Sequence, residues 1–189
     1  MNNTNFNDAR KTLGITLHTL QDFYSHSNWI ELSNTEPCTA LINQDENIPN
    51  PAGKNESTCE DKADGKSDII RAEILQQKKL TSGYTRKSRP EGKCSHGGFR
   101  DFSCGINKDY NTSCHGSLHS RASEVAIKAT VQLLEEILRR SDPLSFFRLV
   151  GLDERPVEGK LIALLFSAFR NRYPDASEDD NEVVEEPMD

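Results

Sequence analysis

Residues 13–32 read Leu-Gly-Ile-Thr-Leu-His-Thr-Leu-Gln-Asp-Phe-Tyr-Ser-His-Ser-Asn-Trp-Ile-Glu-Leu, and two stripes run through them. At helical period Leu13, Leu17, Leu20 and the Phe23-Tyr24 pair make an apolar face, while His18, Asp22 and His26 recur at every fourth position. Four residues turn an α-helix by about 400°, so each member of the polar set lies about 40° round and about 6 Å beyond the last. An imidazole and a carboxylate one turn apart reach the same metal ion, and both suit zinc at about 2.0–2.2 Å. On a straight helix His26 lies about 12 Å from His18. Either it serves a second ion, or the helix ends before it. Three metal-capable residues at one strict spacing, beside Asn28 and Trp29, set a metal site in balance against a solvated polar seam.

Composition limits what surrounds this stretch. The chain has 189 residues, enough for one core, but only 34% are hydrophobic and 28% are charged, so a sizeable part must be loop or disordered. The net charge of −7 is concentrated: residues 175–189 carry eight acidic and no basic side chains. The body is close to neutral and shows no basic stripe, which excludes a nucleic-acid surface. No run approaches the 18 or so apolar residues of a transmembrane helix. The first residues, Met-Asn-Asn-Thr-Asn-Phe-Asn-Asp, contain no apolar segment of a signal peptide. The cysteines point the other way. Cys38, Cys59, Cys94, Cys104 and Cys114 all fall in the Gly- and Ser-rich middle, as in disulfide-bearing secreted modules, and sequons stand at Asn2, Asn55 and Asn111. The expectation is an extracellular parent whose amino-terminal end is not part of this chain.

Along the chain, residues 1–7 are expected to be a disordered lead-in, with Asn7 or Asp8 capping a first helix over Asp8–Ser25. Gly14 within it implies that another backbone packs close there. Residues 33–55, with Pro37, Pro49, Pro51 and Gly53, read as loop with a helical turn at Thr39–Asn43, and a Cys38–Cys59 bridge would close it. Residues 67–79 read as a short helix capped by Ser67, with Ile70, Ile74 and Leu75 inward. The basic run Arg86–Lys93 reads as a solvated, protease-sensitive loop rather than a phosphate site.

Residues 94–119 hold the second concentration of chemistry: Cys94-Ser-His-Gly-Gly, Gly105-Ile-Asn-Lys-Asp and Cys114-His-Gly-Ser-Leu-His. Cysteines ten apart are too widely spaced for structural-zinc knuckles, so disulfides are the expected use. His96, His115 and His119 complete the five histidines, all of which lie here or in the opening ridge. Taken alone, His115 and His119 are better explained as polar residues at a helix start than as ligands, and beside the opening ridge the two readings balance. Ser117–Arg140 is the strongest helix pattern, with Ala122, Val125, Ala126, Ala129, Val131, Leu133, Leu134, Ile137 and Leu138 on one stripe. Asp142-Pro143 opens another short helix that stops at Gly151, and an amphipathic segment follows over Pro156–Arg172.

The ridge His18-x3-Asp22-x3-His26-Ser27-Asn28-Trp29, with Glu31-Leu32 behind it, resembles the amino-terminal domain of the von Willebrand factor A domain-containing protein 7 family. Its Gln-Asp-Phe, small residue, His-Ser-Asn, aromatic run is also similar to the fungal Het-C heterokaryon-incompatibility family. The Cys-Ser-His-Gly-Gly turn, the Gly-Ile-Asn-Lys-Asp stretch and His115-x3-His119 match the first family too, so the resemblance covers residues 8–150. More distantly, the chain looks like the helical zinc-dependent phospholipase C and single-strand nuclease superfamily. There the last histidine of the first helix stands further from the aspartate and the second helix bears His-x3-Glu. Here the equivalent of that glutamate is Ser123.

The resemblance implies an all-α fold similar to zinc-dependent phospholipase C, with long disulfide-bearing loops. The expected organisation is a lead-in (1–7), a helical domain (8–150), a carboxy-terminal amphipathic segment (151–174) and a disordered acidic tail (175–189). It implies zinc as cofactor, with His18, Asp22, His26, His96, His115 and His119 as the metal-ligand set and Asp22 as candidate catalytic base. A von Willebrand A domain would be expected after residue 150, but no Asp-x-Ser-x-Ser motif is present, so the chain reads as a fragment or short isoform. Three functions follow. The first is a non-enzymatic extracellular module of a surface or matrix adhesion-type protein, with a protein or matrix partner. The second is a zinc-dependent phosphodiester hydrolase, and the third, by analogy alone, is an incompatibility-type effector.

Overall fold

The computed structural model describes residues 3–61, 68–85, 88–98 and 105–152. The expected amphipathic segment at 156–172 and the acidic tail lie outside these residues. The described elements are α1 (Asn3–His26), β1 (Cys59–Asp61), β2 (Asp68–Ile70), α2 (Ala72–Gln76), α3 (His119–Arg139) and α4 (Pro143–Leu149). Two 3-10 turns, at Thr39–Leu41 and Gly116–Leu118, complete them. The fold is mainly helical with one small antiparallel sheet. None of the described helices is long and apolar enough to cross a membrane.

The described residues form two compact units, one of residues 3–10 with 135–152 and one within residues 11–134. In the first, α1 begins at Asn3 rather than Asp8, because Phe6 is buried and anchors the opening turn. Asn7 caps nothing. Its Oδ1 accepts from Arg10 Nη1 at 3.0 Å, while Arg10 Nε and Nη2 fork onto the Arg148 carbonyl at 3.2 and 2.7 Å. The Asp142-Pro143 signal is realised in α4: the Asp142 carboxylate accepts from the amides of Leu144 and Ser145, Pro143 opens the helix, and Gly151 leaves it with φ 74°.

The larger unit is built on two clusters. In one, Leu20 and Tyr24 of α1 and Ala122, Val125 and Ala129 of α3 meet Trp29, Ile30, Cys38 and Leu80. Ala122, Val125 and Ala129 recur at 3–4 spacing, and the two alanines bring small surfaces to the contact, as expected of the α3 stripe. Val131 departs from that stripe and is exposed together with Ile127. Nine residues beyond Ala122, it sits about 180° round the helix. Gly14 also departs from expectation. A Cβ built there meets nothing within 4 Å among the described residues, so none of their backbone packs against it. Gly14→Ala is therefore expected to stabilise the protein by about 0.5–1 kcal/mol, read as a rise in urea midpoint; a loss of stability would mean that something covers this face of α1.

The second cluster joins Cys59, Cys94, Ile70, Ile74 and Ile106. Here the single helix expected over 67–79 is replaced by β2 followed by α2. Cys59 pairs with Ile70, Glu60 with Ile69 and Asp61 with Asp68. Ile70 is buried whereas Ile69 is exposed, a two-residue period that a strand satisfies and a helix does not. The expected Cys38–Cys59 bridge is corrected as well. Cys59 bonds Cys94, Cys38 is a buried free thiol, and Cys114 is itself disulfide-bonded. Cys38 lies in the first cluster, where its amide donates to the Tyr24 hydroxyl at 3.1 Å, so it faces away from the bridge. The basic run is not simply solvated: Arg89 pairs with the buried Asp68, and Lys93 is buried with Nζ on the Gly53 carbonyl at 2.7 Å.

Main-chain pairing carries the end of α1 to the second half of the chain. Asn28 bonds Thr81 through both its amide and its Oδ1, and its Nδ2 donates to the Lys79 carbonyl at 2.9 Å. The Gly83 amide donates to the His26 carbonyl at 2.7 Å, and Tyr84 pairs with Cys94 and His96. A Cβ at Gly83 would fall on the His96 main chain, and one at Gly105 on Ser95 and Gly97. These two glycines let the strands of loop close around His96.

Candidate metal centre

α1 runs unbroken through His18 to His26, so the separation of these two along the helix stands and His18 stays outside the cluster; the chain folds back after His26 and brings His96 over the last turn of the helix instead. The two rings stack with centroids 3.5 Å apart and planes 18° from parallel. Asp22, one turn earlier, faces both. Its Oδ1 lies 3.9 Å from His26 Nε2 and its Oδ2 lies 3.7 Å from His96 Nε2. One ligand atom from each of Asp22, His26 and His96 falls within 4.8 Å of the others. A fourth group, Asp109, comes from the loop before α3, with Oδ1 3.2 Å from His26 Nε2. That loop is tied down by the Lys108 amide on the Ser25 carbonyl and by the Asp109 amide on Asn107 Oδ1.

The hydrogen bonds fix the tautomers. His26 Nδ1 lies 2.9 Å from the His96 carbonyl, His96 Nδ1 lies 2.8 Å from the Gly97 carbonyl, and His119 Nδ1 lies 2.8 Å from the Lys108 carbonyl. A carbonyl only accepts, so each Nδ1 carries the hydrogen and each neutral ring keeps its lone pair on Nε2. A ligating histidine held in this way, with its other nitrogen donating to an acceptor, is the usual support of a metal site. Burial pushes the pKa of His26 down and the neighbouring His96 pushes it further, with Asp109, its own hydrogen bond and Asp22 pulling back less strongly. His26 therefore favours the neutral ring. Its Nε2 lone pair faces carboxylate oxygens, which are also acceptors. Two imidazole nitrogens and two carboxylates are a donor set that fits zinc.

The six expected ligands separate into groups. Asp22, His26 and His96 come together. His18 is at the rim, its side chain 78% exposed and its Nε2 3.8 Å from Asp22 Oδ2. His119 opens α3 and is oriented by the Lys108 carbonyl, while His115 is engaged elsewhere. Its Nδ1 bonds Glu31 Oε1 at 2.8 Å, in a buried network centred on Lys108. Lys108 Nζ donates at 2.8 Å to the Ser27 carbonyl, 3.0 Å to the Ile106 carbonyl and 3.0 Å to Glu31 Oε1. Glu31 Oε2 has no partner among the described residues. Sequence reading omitted Asp109, Glu31 and Lys108. Asp109 stands in the quoted Gly-Ile-Asn-Lys-Asp stretch, but no spacing there marks it as a ligand.

Residues 1–147 match the family model described as VWA7 N-terminal domain. The chain is 39% identical to von Willebrand factor A domain-containing protein 7 of Rattus norvegicus over 155 residues, covering 76% of this chain and 17% of that protein. The Mus musculus protein of the same name gives 39% and the Homo sapiens protein 38% over the same coverage. The chain thus spans about a sixth of the length of these relatives. No solved structure matches it. The matched residues contain α1, the loop bearing His96 and Asp109, and the whole of α3, and the chain belongs to the VWA7 N-terminal domain family.

Proposed function

We propose that this module is an extracellular, non-enzymatic helical domain that holds a zinc ion through His26, His96, Asp22 and Asp109. The observation that carries the proposal is the meeting of acceptors: His26 Nε2 faces Asp22 and Asp109 at 3.9 and 3.2 Å, and His96 Nε2 faces Asp22 at 3.7 Å. Without a cation these groups repel, and protonating both rings would place two positive charges in a stack of 3.5 Å. A divalent cation relieves both conflicts. The Cys59–Cys94 bridge and the bonded Cys114 support an oxidising, extracellular setting.

Atomic emission on the chain purified from a secretory host is expected to find about one zinc per chain, a stoichiometry set by a four-ligand site. His96→Ala and Asp22→Asn each lose it. Zinc at about 100 times its Kd should add about 2.7 kcal/mol to stability. Protein without metal, whose melting does not respond to zinc, would leave the cluster as a polar seam.

A second reading, a phosphodiester hydrolase with the helical architecture of zinc-dependent phospholipase C, is favoured by the openness of the site. The Asp22 and Asp109 side chains are 39% and 37% exposed, which leaves room for water and substrate. Bound zinc would supply Lewis acidity and a water of lowered pKa. Asp22 would orient that water and take its proton. Zinc-stimulated cleavage of a phosphodiester that disappears in Asp22→Asn would replace the non-enzymatic reading, and a zinc-loaded chain without such activity would retain it.

A further inference from the structure

We infer that Asn55 and Asn111 carry N-linked glycans. The inference rests on the extracellular half of the reading above and not on the metal. Each asparagine begins a sequon, Asn55-Glu56-Ser57 and Asn111-Thr112-Ser113. Each also stands at the corner of a four-residue turn closed by a main-chain bond. Glu56 N donates to the Gly53 carbonyl at 3.0 Å, and Ser113 N donates to the Tyr110 carbonyl at 2.9 Å. Both side chains are exposed, and neither carboxamide makes a hydrogen bond among the described residues.

The contrast with other asparagines sharpens the point. Asn28, Asn34, Asn43, Asn50 and Asn107 all use their carboxamides to hold backbone, and none is followed by Ser or Thr two residues on. Among the described residues, asparagines that build the fold lack the acceptor motif, and Asn55 and Asn111, which have it, hold no backbone with their carboxamides. The backbone of Asn111 packs so closely on Gly116 that a Cβ there would strike its carbonyl, so the main chain is held inward while the side chain points out. Asn55 lies four residues before Cys59, and Asn111 three before Cys114, both disulfide-bonded. Bridge formation and glycosylation share a compartment.

The acceptor is the carboxamide Nδ2, and the co-reactant is an oligosaccharide carried on a lipid pyrophosphate. The Nδ2–C1 bond forms as the C1–O bond to the pyrophosphate breaks, and the amide proton passes to a carboxylate of the transferring enzyme. No electrons are exchanged with a third partner.

The full chain, secreted from animal cells behind a cleavable signal, is to be treated with the amidase that removes N-glycans and leaves aspartate. Two stepwise losses of mass are expected, with the Asn→Asp mark at Asn55 and Asn111. Asn55→Gln and Asn111→Gln should each remove one step. Ser57→Ala and Ser113→Ala should do the same while leaving the carboxamide intact, whereas Ser57→Thr and Ser113→Thr, which keep the motif and the hydroxyls that bond the Gly92 carbonyl and the Tyr110 amide, should retain both steps and so separate loss of the acceptor motif from misfolding. A secreted chain with Cys59 and Cys94 bonded but Asn55 and Asn111 unmodified overturns the inference. It leaves the extracellular reading standing, since the bridge reports on the compartment separately.

Discussion

Replacing Lys108 with methionine is expected to lower the unfolding free energy by roughly 3–5 kcal/mol, the usual result of breaking a buried ion pair from one side. The Lys108 side chain is fully buried, and its three donors are all used, on the Ser27 and Ile106 carbonyls and on Glu31. Methionine fills most of the volume but leaves the Ser27 and Ile106 carbonyls without that donor and the buried Glu31 carboxylate with His115 as its remaining side-chain partner. Burial alone would raise the pKa of Glu31, yet the His115 hydrogen bond and the Lys108 charge outweigh it and hold the group below its ordinary value. A carboxylate whose folded pKa is depressed contributes stability above its unfolded pKa of about 4.3 and loses it as pH falls through the folded value. The wild type should therefore weaken below about pH 4, and Glu31→Gln should flatten that slope. Urea midpoints measured across pH read both effects, and an unchanged midpoint for Lys108→Met would contradict the assignment.

Removing the Cys59–Cys94 bridge by Cys94→Ser should cost about 4 kcal/mol by the chain-entropy estimate for its 35-residue separation. The consequence extends beyond stability. Cys94 stands two residues before His96, and its carbonyl accepts from Tyr84 N at 2.8 Å in the pairing that seats His96 over α1. Reduction frees that strand at its buried end, so zinc retention on dialysis should fall together with the urea midpoint. Cys38→Ser provides the control, because the Cys38 thiol is unbonded and belongs to the other cluster. If Cys38→Ser removes zinc and Cys94→Ser does not, the placement of His96 does not depend on the bridge.

The legible parts of this chain are those where a local period or a local cap is enough. α3 is readable because Ala122, Val125 and Ala129 recur on one face, and α4 because Asp142-Pro143 fixes its first turn. The ridge on α1 is readable for the same reason: Asp22 and His26 are related by helical geometry alone. Cysteine pairing is not local. Cys59 meets Cys94 because β1, α2 and the loop at Ile106 close a cluster around them, and nothing near Cys38 marks it as unpaired. Three residues of strand at Asp68–Ile70 are too few to display a two-residue period against the helical pattern that follows. Charged residues are the hardest. Nothing local marks Glu31 and Lys108 as partners, and only a fold that brings residues 77 positions apart within 3.0 Å makes them a buried pair. Asp109 escaped notice for the same reason, since its partner His26 comes from another part of the chain.

A cation held between His26, His96 and the two carboxylates is tested most directly by the zinc-edge X-ray absorption spectrum of the purified, zinc-loaded chain. Two imidazole nitrogens at about 2.0–2.1 Å with oxygen completing the shell are expected, and both imidazole signals should weaken in His26→Ala and His96→Ala. A spectrum dominated by sulfur, or one indistinguishable from hydrated zinc, would contradict it.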